Sequence, residues 1–188
     1  MDLKELKSIC EKCTDCPLHA TRLNLVFGSG TEDTDVLFVG EAPGKNEDET
    51  GIPFVGLAGQ LLDLYLEAVG IARNKVYITN ILKCRPPMNR DPNPEEQAAC
   101  MKYLDRQIEI LDPKIIVCLG RISAQKLITP EFRVTRDHGR IYHINGRTMM
   151  GTYHPAALLR NPGCKGDTLK DFIKIASVIQ EVHTGEHA

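Results

Sequence analysis

Val36-Leu37-Phe38-Val39-Gly40-Glu41-Ala42-Pro43-Gly44 is the stretch from which the fold can be read: an apolar run breaks at a glycine and passes into a carboxylate, a proline and a second glycine. A short apolar run containing β-branched residues and ending at turn residues has the pattern of a strand buried on both faces. The same pattern recurs at 76–80 and 115–119, and more weakly at 148–153. Between these runs lie helical patterns. Residues 59–69 place Leu61, Leu62, Leu64, Tyr65 and Leu66 at helical spacing, and 94–111 are opened by Asn93 as N-cap and Pro94 in the first turn. Further helices are expected at 121–128 and 167–182. Strands alternating with helices require right-handed crossovers, so an α/β fold with a mostly parallel sheet covered on both faces is expected. The segment 132–146 reads as a hairpin with Asn145-Gly146 as its turn. The Pro-rich segment 85–94 is the one long irregular stretch, and such loops are usually functional or disordered.

With 188 residues, 42% of them hydrophobic, the chain can bury one substantial core, so a single domain over 1–188 is expected. The opening residues Met1-Asp2-Leu3-Lys4-Glu5-Leu6-Lys7 are charged and amphipathic, unlike a signal peptide. No apolar run approaches the roughly 20 residues that span a bilayer. A soluble, cytoplasmic protein without a membrane partner is expected. The net charge of −2 means that any nucleic-acid face must come from local segregation of charge. Lys83, Arg85 and Arg90, with no acid among residues 83–90, are a candidate.

Seven cysteines in a chain with no secretion signal favour metal ligation over a disulfide framework. Cys10-x₂-Cys13-x₂-Cys16-Pro17 places three thiols near the start, Cys84 follows a strand, and Cys100 falls within the helix after the Pro-rich loop. Four thiolates from these separated segments can close one tetrahedral or cubane site. A zinc ribbon usually supplies a second C-x₂-C pair, which is lacking, so a [4Fe–4S] cluster is favoured over zinc. Spacing leaves open whether Cys10 or Cys13 is the ligand beside Cys16. Cys118 and Cys164 read as ordinary small residues.

Three of the expected strands end in polar side chains: Glu41, Asn80 and, in Thr152-Tyr153-His154-Pro155, His154. Ligands bind outside the carboxyl ends of strands in open α/β sheets, so these three can converge on one pocket. The stretch Gly40–Gly44 has neither the G-x-G-x-x-G spacing nor the Lys-Ser/Thr of a P-loop, which disfavours nucleotide hydrolysis.

These residues resemble family 4 of the uracil-DNA glycosylase superfamily, the iron–sulfur enzymes of bacteria and archaea. The resemblance runs through Gly40-Glu41-Ala42-Pro43-Gly44, Pro53-Phe54-Val55-Gly56, Ala58-Gly59-Gln60-Leu61-Leu62, Tyr77-Ile78-Thr79-Asn80, Lys83-Cys84-Arg85-Pro86-Pro87 and His154-Pro155-Ala156 with Leu158-Leu159-Arg160-Asn161-Pro162. It implies a three-layer α/β/α sandwich around a four-stranded parallel sheet. It implies a [4Fe–4S] cluster held by Cys13, Cys16, Cys84 and Cys100, with Cys10 as a neighbour. It also implies a monomer acting on uracil-containing DNA, single- or double-stranded, and releasing free uracil to leave an abasic site.

By the same resemblance Phe54 stacks on the flipped base, Asn80 identifies it through N3–H and O4, and Glu47 stands beside its C5 edge. His154 donates to O2, and Glu41 orients water. Ala42 takes the place where a related family carries Asp. The loop after His154 meets DNA, with Leu158 or Leu159 as a wedge and Arg160 on phosphate; Arg85 is a further DNA contact. Residues 83–94 show no extra basic, His-containing insertion of the kind found in a branch that attaches covalently to its DNA product, so turnover is implied. Two other classes remain in view: a non-catalytic iron–sulfur DNA-binding or redox-sensing module, and a glycosylase for another deaminated base.

Overall fold

The computed structural model of the chain describes residues 1–185. Its first helix, α1 (Leu3–Glu11), is closed by a reciprocal cap: the Glu5 N–H donates to Asp2 Oδ1 and the Asp2 N–H to Glu5 Oε2. Leu3, Leu6 and Cys10 form its buried stripe. An irregular stretch then reaches the two-residue strand β1 (Ser29–Gly30) and β2 (Val36–Gly40). After β2 come α2 (Lys45–Thr50), α3 (Leu57–Ala68), β3 (Tyr77–Asn80), α4 (Pro94–Leu111) and β4 (Ile115–Leu119). The remainder is α5 (Arg121–Leu127), α6 (Val134–Asp137), β5 (Ile141–Ile144), β6 (Arg147–Thr152), α7 (Pro155–Arg160) and α8 (Lys165–Thr184).

The sheet has the order β1-β3-β2-β4-β6-β5. The four expected parallel strands β3, β2, β4 and β6 form its centre, and two antiparallel strands extend it to six, β1 on β3 and β5 on β6. Both additions have weak patterns: β1 is only Ser-Gly, and β5 alternates between exposed and half-buried positions, as an edge strand does. The expected hairpin is displaced. Its turn is Asn145-Gly146, both residues at positive φ as a type I′ turn requires, but its arms are β5 and β6. Residues 134–137 instead make α6, because Asp137 accepts the N–H of the N-cap residue Arg133 at 2.9 Å and closes a helical turn.

Alternation along β2 splits the core. Val36 and Phe38 join one side with Leu62, Leu66, Phe172 and Ile175, whereas Leu37 and Val39 join the other with Leu3, Leu6, Leu104 and Phe132. Each such buried side chain contributes roughly 1.5–3 kcal/mol of transfer free energy. The second face therefore carries α1 and α4. Among the described residues no helix is long and apolar enough to cross a membrane.

Candidate active site and cysteine cavity

β2 and β3 are parallel neighbours in a register that sets Gly40 opposite Asn80 at their carboxyl ends. A Cβ on Gly40 would lie 2.4 Å from Asn80 Oδ1 and 2.5 Å from Phe54 Cζ, so the missing side chain is what lets amide and ring meet. Phe54 has φ 53, a left-handed conformation that costs an ordinary residue roughly 1–3 kcal/mol and persists only where its surroundings enforce it. Here they do. Glu47 Oε1 accepts the N–H groups of Val55 and Gly56 at 3.0 and 2.9 Å, and Arg73 Nη2 donates to the Pro53 carbonyl at 2.7 Å. Gly59 of α3 packs so tightly that a Cβ there would fall 1.9 Å from the Phe54 carbonyl oxygen.

His154 follows β6 and caps α7. Its ring stacks against that of Phe54, with centroids 5.6 Å apart and planes at 30°. Gly120, at φ 95 just after β4, yields the space for it, since a Cβ there would be 2.8 Å from His154 Cβ. The Ala156 N–H donates to His154 Nδ1 at 3.1 Å. Burial, together with the positive charge of Arg160 and against the pull of Glu47, lowers the His154 pKa to about 4. The ring is therefore neutral at pH 7 with Nδ1 as acceptor, which puts its one proton on Nε2.

Glu41 is half-buried beside this pocket, and burial with the nearby Asp91 carboxylate raises its pKa to about 7, opposed by Arg121 and Arg160. Asn80 is 1% exposed and its Oδ1 has no hydrogen-bond partner. Such an orphaned acceptor costs about 1–3 kcal/mol until something donates to it. The arrangement thus offers an unfilled acceptor, an Nε2 donor, an aromatic face and a carboxylate titrating near neutrality.

Phe54, Asn80 and His154 are brought together, Glu41 directly follows Gly40 at the end of β2, and Glu47 joins through the loop that it pins. Ala42 is half-buried and packs toward the α1/α4 side of the sheet. Leu158 is 1% exposed in the core with Phe54 and Phe172, whereas Leu159 is 44% exposed and Arg160 lies at the surface. Arg85 Nε donates to Asn89 Oδ1 at 2.8 Å on the Pro-rich loop. Of the expected basic face, Arg90 is forked onto the Glu96 carboxylate at 2.6 and 2.9 Å, and Lys83 is wholly buried, its stem drawn under the end of β3. Lys83 is thus removed from any DNA surface. The tether from Glu47, the space left at Gly40 and Gly120, and the Asp91–Arg121 pair at 3.1 Å were not anticipated. Glycines directly after two apolar runs were the available signal for the space at Gly40 and Gly120.

Cys10, Cys13, Cys16, Cys84 and Cys100 line one small cavity, with Arg22, Lys83 and Tyr103. α1 delivers Cys10, the turn after it Cys13 and Cys16, the loop after β3 Cys84, and α4 Cys100. Among the described residues no three Cys, His, Asp or Glu side chains converge on a single metal-ion position. Donors aim at the sulfurs: Arg22 Nη1 reaches Cys84 Sγ at 3.3 Å and the Lys83 N–H reaches Cys100 Sγ at 3.4 Å. All seven cysteines are free thiols; Cys118 is buried in β4 and Cys164 stands at the start of α8.

Residues 27–176 match the sequence model of the uracil DNA glycosylase superfamily. A type-4 uracil-DNA glycosylase of Archaeoglobus fulgidus is 47% identical, over 88% of this chain and 87% of its own length. The chain belongs to the type-4 uracil-DNA glycosylases. Another member, from Thermotoga maritima, is 46% identical over 91% of both chains, whereas a type-5 uracil-DNA glycosylase of Thermus thermophilus is 31% identical over 69% of this chain. The type-4 membership agrees in extent with the motifs read from residues 40 to 162. The superfamily match begins at Phe27, so Cys10, Cys13 and Cys16 lie ahead of it.

Proposed function

We propose that this chain flips uracil out of DNA and hydrolyses its N-glycosidic bond, leaving an abasic site. The observation that carries this reading is the buried, unpaired Oδ1 of Asn80 beside the Phe54 ring. Uracil N3–H satisfies that oxygen while the Asn80 NH₂ donates to O4. Cytosine presents the opposite polarity at both atoms, a mismatch of buried polar groups that can discriminate by about 10⁴–10⁵. Stacking on Phe54 adds roughly 1–3 kcal/mol for any base and so holds without selecting. A base in a duplex reaches this pocket only by extrusion from the stack.

Bond cleavage leaves negative charge on the base and positive charge on the sugar. The Nε2–H of His154 donates to uracil O2 as charge develops there, and a neutral imidazole suffices for this. Glu41, as a carboxylate, orients the water that attacks C1′ and offsets the positive sugar. With Ala42 at the next position, Glu41 is the acidic group for this step. Glu47 holds the loop that presents Phe54 and so borders the base's edge. Leu159 is the wedge that fills the vacated stack, Arg160 and Arg85 contact phosphates, and the buried Leu158 belongs to the core.

The five-thiol cavity fits a [4Fe–4S] cluster on Cys13, Cys16, Cys84 and Cys100, with Cys10 packed against it. Support comes from the five thiols that line one cavity and from the N–H groups of Arg22 and Lys83 aimed at sulfur, a common feature of cluster ligation. When bound, such a cluster cross-links the polypeptide, and none of the residue roles above draws on electron transfer.

The test is base release from a single-uracil oligonucleotide, scored as alkali-labile strand breakage, beside matched thymine, cytosine and hypoxanthine oligonucleotides. Uracil-specific breakage that collapses in Asn80→Ala and His154→Ala is the expected result. Equal or greater release of another base, or none from protein with its iron and sulfide intact, would sink the reading.

A further inference from the structure

Lys83 is 0% exposed, yet it takes no part in the chemistry above. Its ammonium donates to Thr79 Oγ1 at 2.6 Å and to the Asn80 carbonyl at 2.7 Å, which fixes the end of β3 from beneath. Its own backbone N–H donates to Cys100 Sγ, its neighbour is Cys84, and Lys83 is among the residues that line the cysteine cavity. The ionisable groups that face the ammonium are the thiols of Cys10 and Cys100; no carboxylate does so among the described residues. Burying a cation without an anionic partner costs several kcal/mol. Four thiolates outweigh the positive charge of an iron–sulfide core, so a cluster in this cavity is a net anion.

We infer that Lys83 is a positioning residue that couples the cluster to base recognition: its ammonium is the cluster's counter-charge, and from that position it holds the backbone of Thr79 and Asn80 at the uracil pocket. The inference rests on the assignments of Asn80 and of the cluster made above. It gives the cluster a use in a reaction that moves no electrons. Without the cluster the ammonium is stranded, its hydration pulls it from beneath β3, and the Asn80 carbonyl loses its anchor. The Asn80 side chain then loses the fixed direction on which its selectivity depends.

Two uncharged variants separate the two duties of Lys83. Lys83→Met removes both charge and donor; Lys83→Gln removes the charge but retains an N–H for the Asn80 carbonyl. Both are prepared with iron and sulfide quantified, then compared with the wild type in three ways. Voltammetry of the bound cluster should give a more negative midpoint potential in both, because a nearby cation stabilises the added electron. Uracil kcat/KM should fall on the order of tenfold in Lys83→Met, the worth of a hydrogen bond to a charged donor, and less in Lys83→Gln. Removing the iron should lower Tm less in Lys83→Met than in wild type, since no cation is then stranded.

An unmoved potential together with an equal Tm loss in both proteins overturns the inference. The potential and Tm arms do not depend on base release, so a wild type that failed to release uracil would defeat the function without touching them. Should neither uncharged variant retain iron, Lys83→Arg decides: iron retained by the charged variant alone supports the counter-charge, and loss in all three assigns Lys83 to packing and overturns it.

Discussion

Glu41 and His154 show how one pocket pushes two titratable groups apart. Burial raises the carboxyl and lowers the imidazole, so the acid reaches about 7 while the base falls to about 4. The sign of the pH dependence follows. In the proposed reaction Glu41 serves as the anion and is protonated as pH falls, so kcat/KM should drop about tenfold per unit below about pH 7. His154 stays neutral across that range and adds no limb of its own. A single-turnover profile from pH 5 to 7.5 should show an acid limb that Glu41→Gln abolishes at a low, flat rate; a limb that persists in Glu41→Gln assigns it elsewhere. His154→Ala removes the Nε2–H aimed at O2, and kcat should fall by about 10²–10³ with the acid limb retained. These side chains were legible because each ends an apolar run. The left-handed Phe54 and the Glu47 tether were not, because contacts between a side chain and a distant backbone leave no period in sequence.

At the scale of elements, the pocket is a consequence of strand register. The Gly40 and Asn80 pairing and the β4 and β6 pairing that ends at Leu119 and Thr152 bring four strand ends level, and Gly40 and Gly120 keep the space between them open. Gly40→Ala should therefore leave the sheet intact, since φ at Gly40 lies outside the left-handed region, but displace the Asn80 amide and the Phe54 ring. The expected outcome is a Tm within a few degrees of wild type and uracil release reduced at least a hundredfold. A variant with normal release would mean that the pocket relaxes around the methyl. Glu47→Ala frees the Val55 and Gly56 N–H groups and should lower kcat/KM about tenfold, read beside a thymine oligonucleotide, which reports any separate role at the C5 edge. The four parallel strands were legible from their apolar runs. The edge strands were not, since β1 is too short to carry a pattern and β5 packs on one side only. The hairpin was misplaced because its turn chemistry is local and its arms are decided by pairing with the sheet.

On the scale of the whole molecule, the cysteines join parts that the sheet alone does not. α1 rests on α4 through one apolar stripe, and the stretch between Cys16 and β1 includes no long element. The proposed cluster on Cys13, Cys16, Cys84 and Cys100 would pin this segment to the end of β3 and to α4, closing loops of tens of residues. By analogy with cross-links over such loops, that closure is worth on the order of 4 kcal/mol. For a chain of this size such a loss corresponds to about 10 °C in Tm. Chelating the iron under reducing conditions should lower Tm by about that amount and make the bonds after Lys12 and Arg22 cleavable by trypsin ahead of the lysine and arginine sites between residues 73 and 114. The tryptic order carries the argument, because simple loss of stability opens all sites together, whereas release of a pinned segment opens that segment first. Iron-free protein that melts with the holoprotein and is cut in the same order would return the N-terminal segment's stability to the apolar stripe of α1. The sequence reading could name the cysteines that gather at this cavity and their separation in the chain, while leaving open by spacing whether Cys10 or Cys13 stands beside Cys16 as a ligand. It could not reveal that the same cavity reaches Asn80 through Lys83, because that link is one buried side chain lying between two sites.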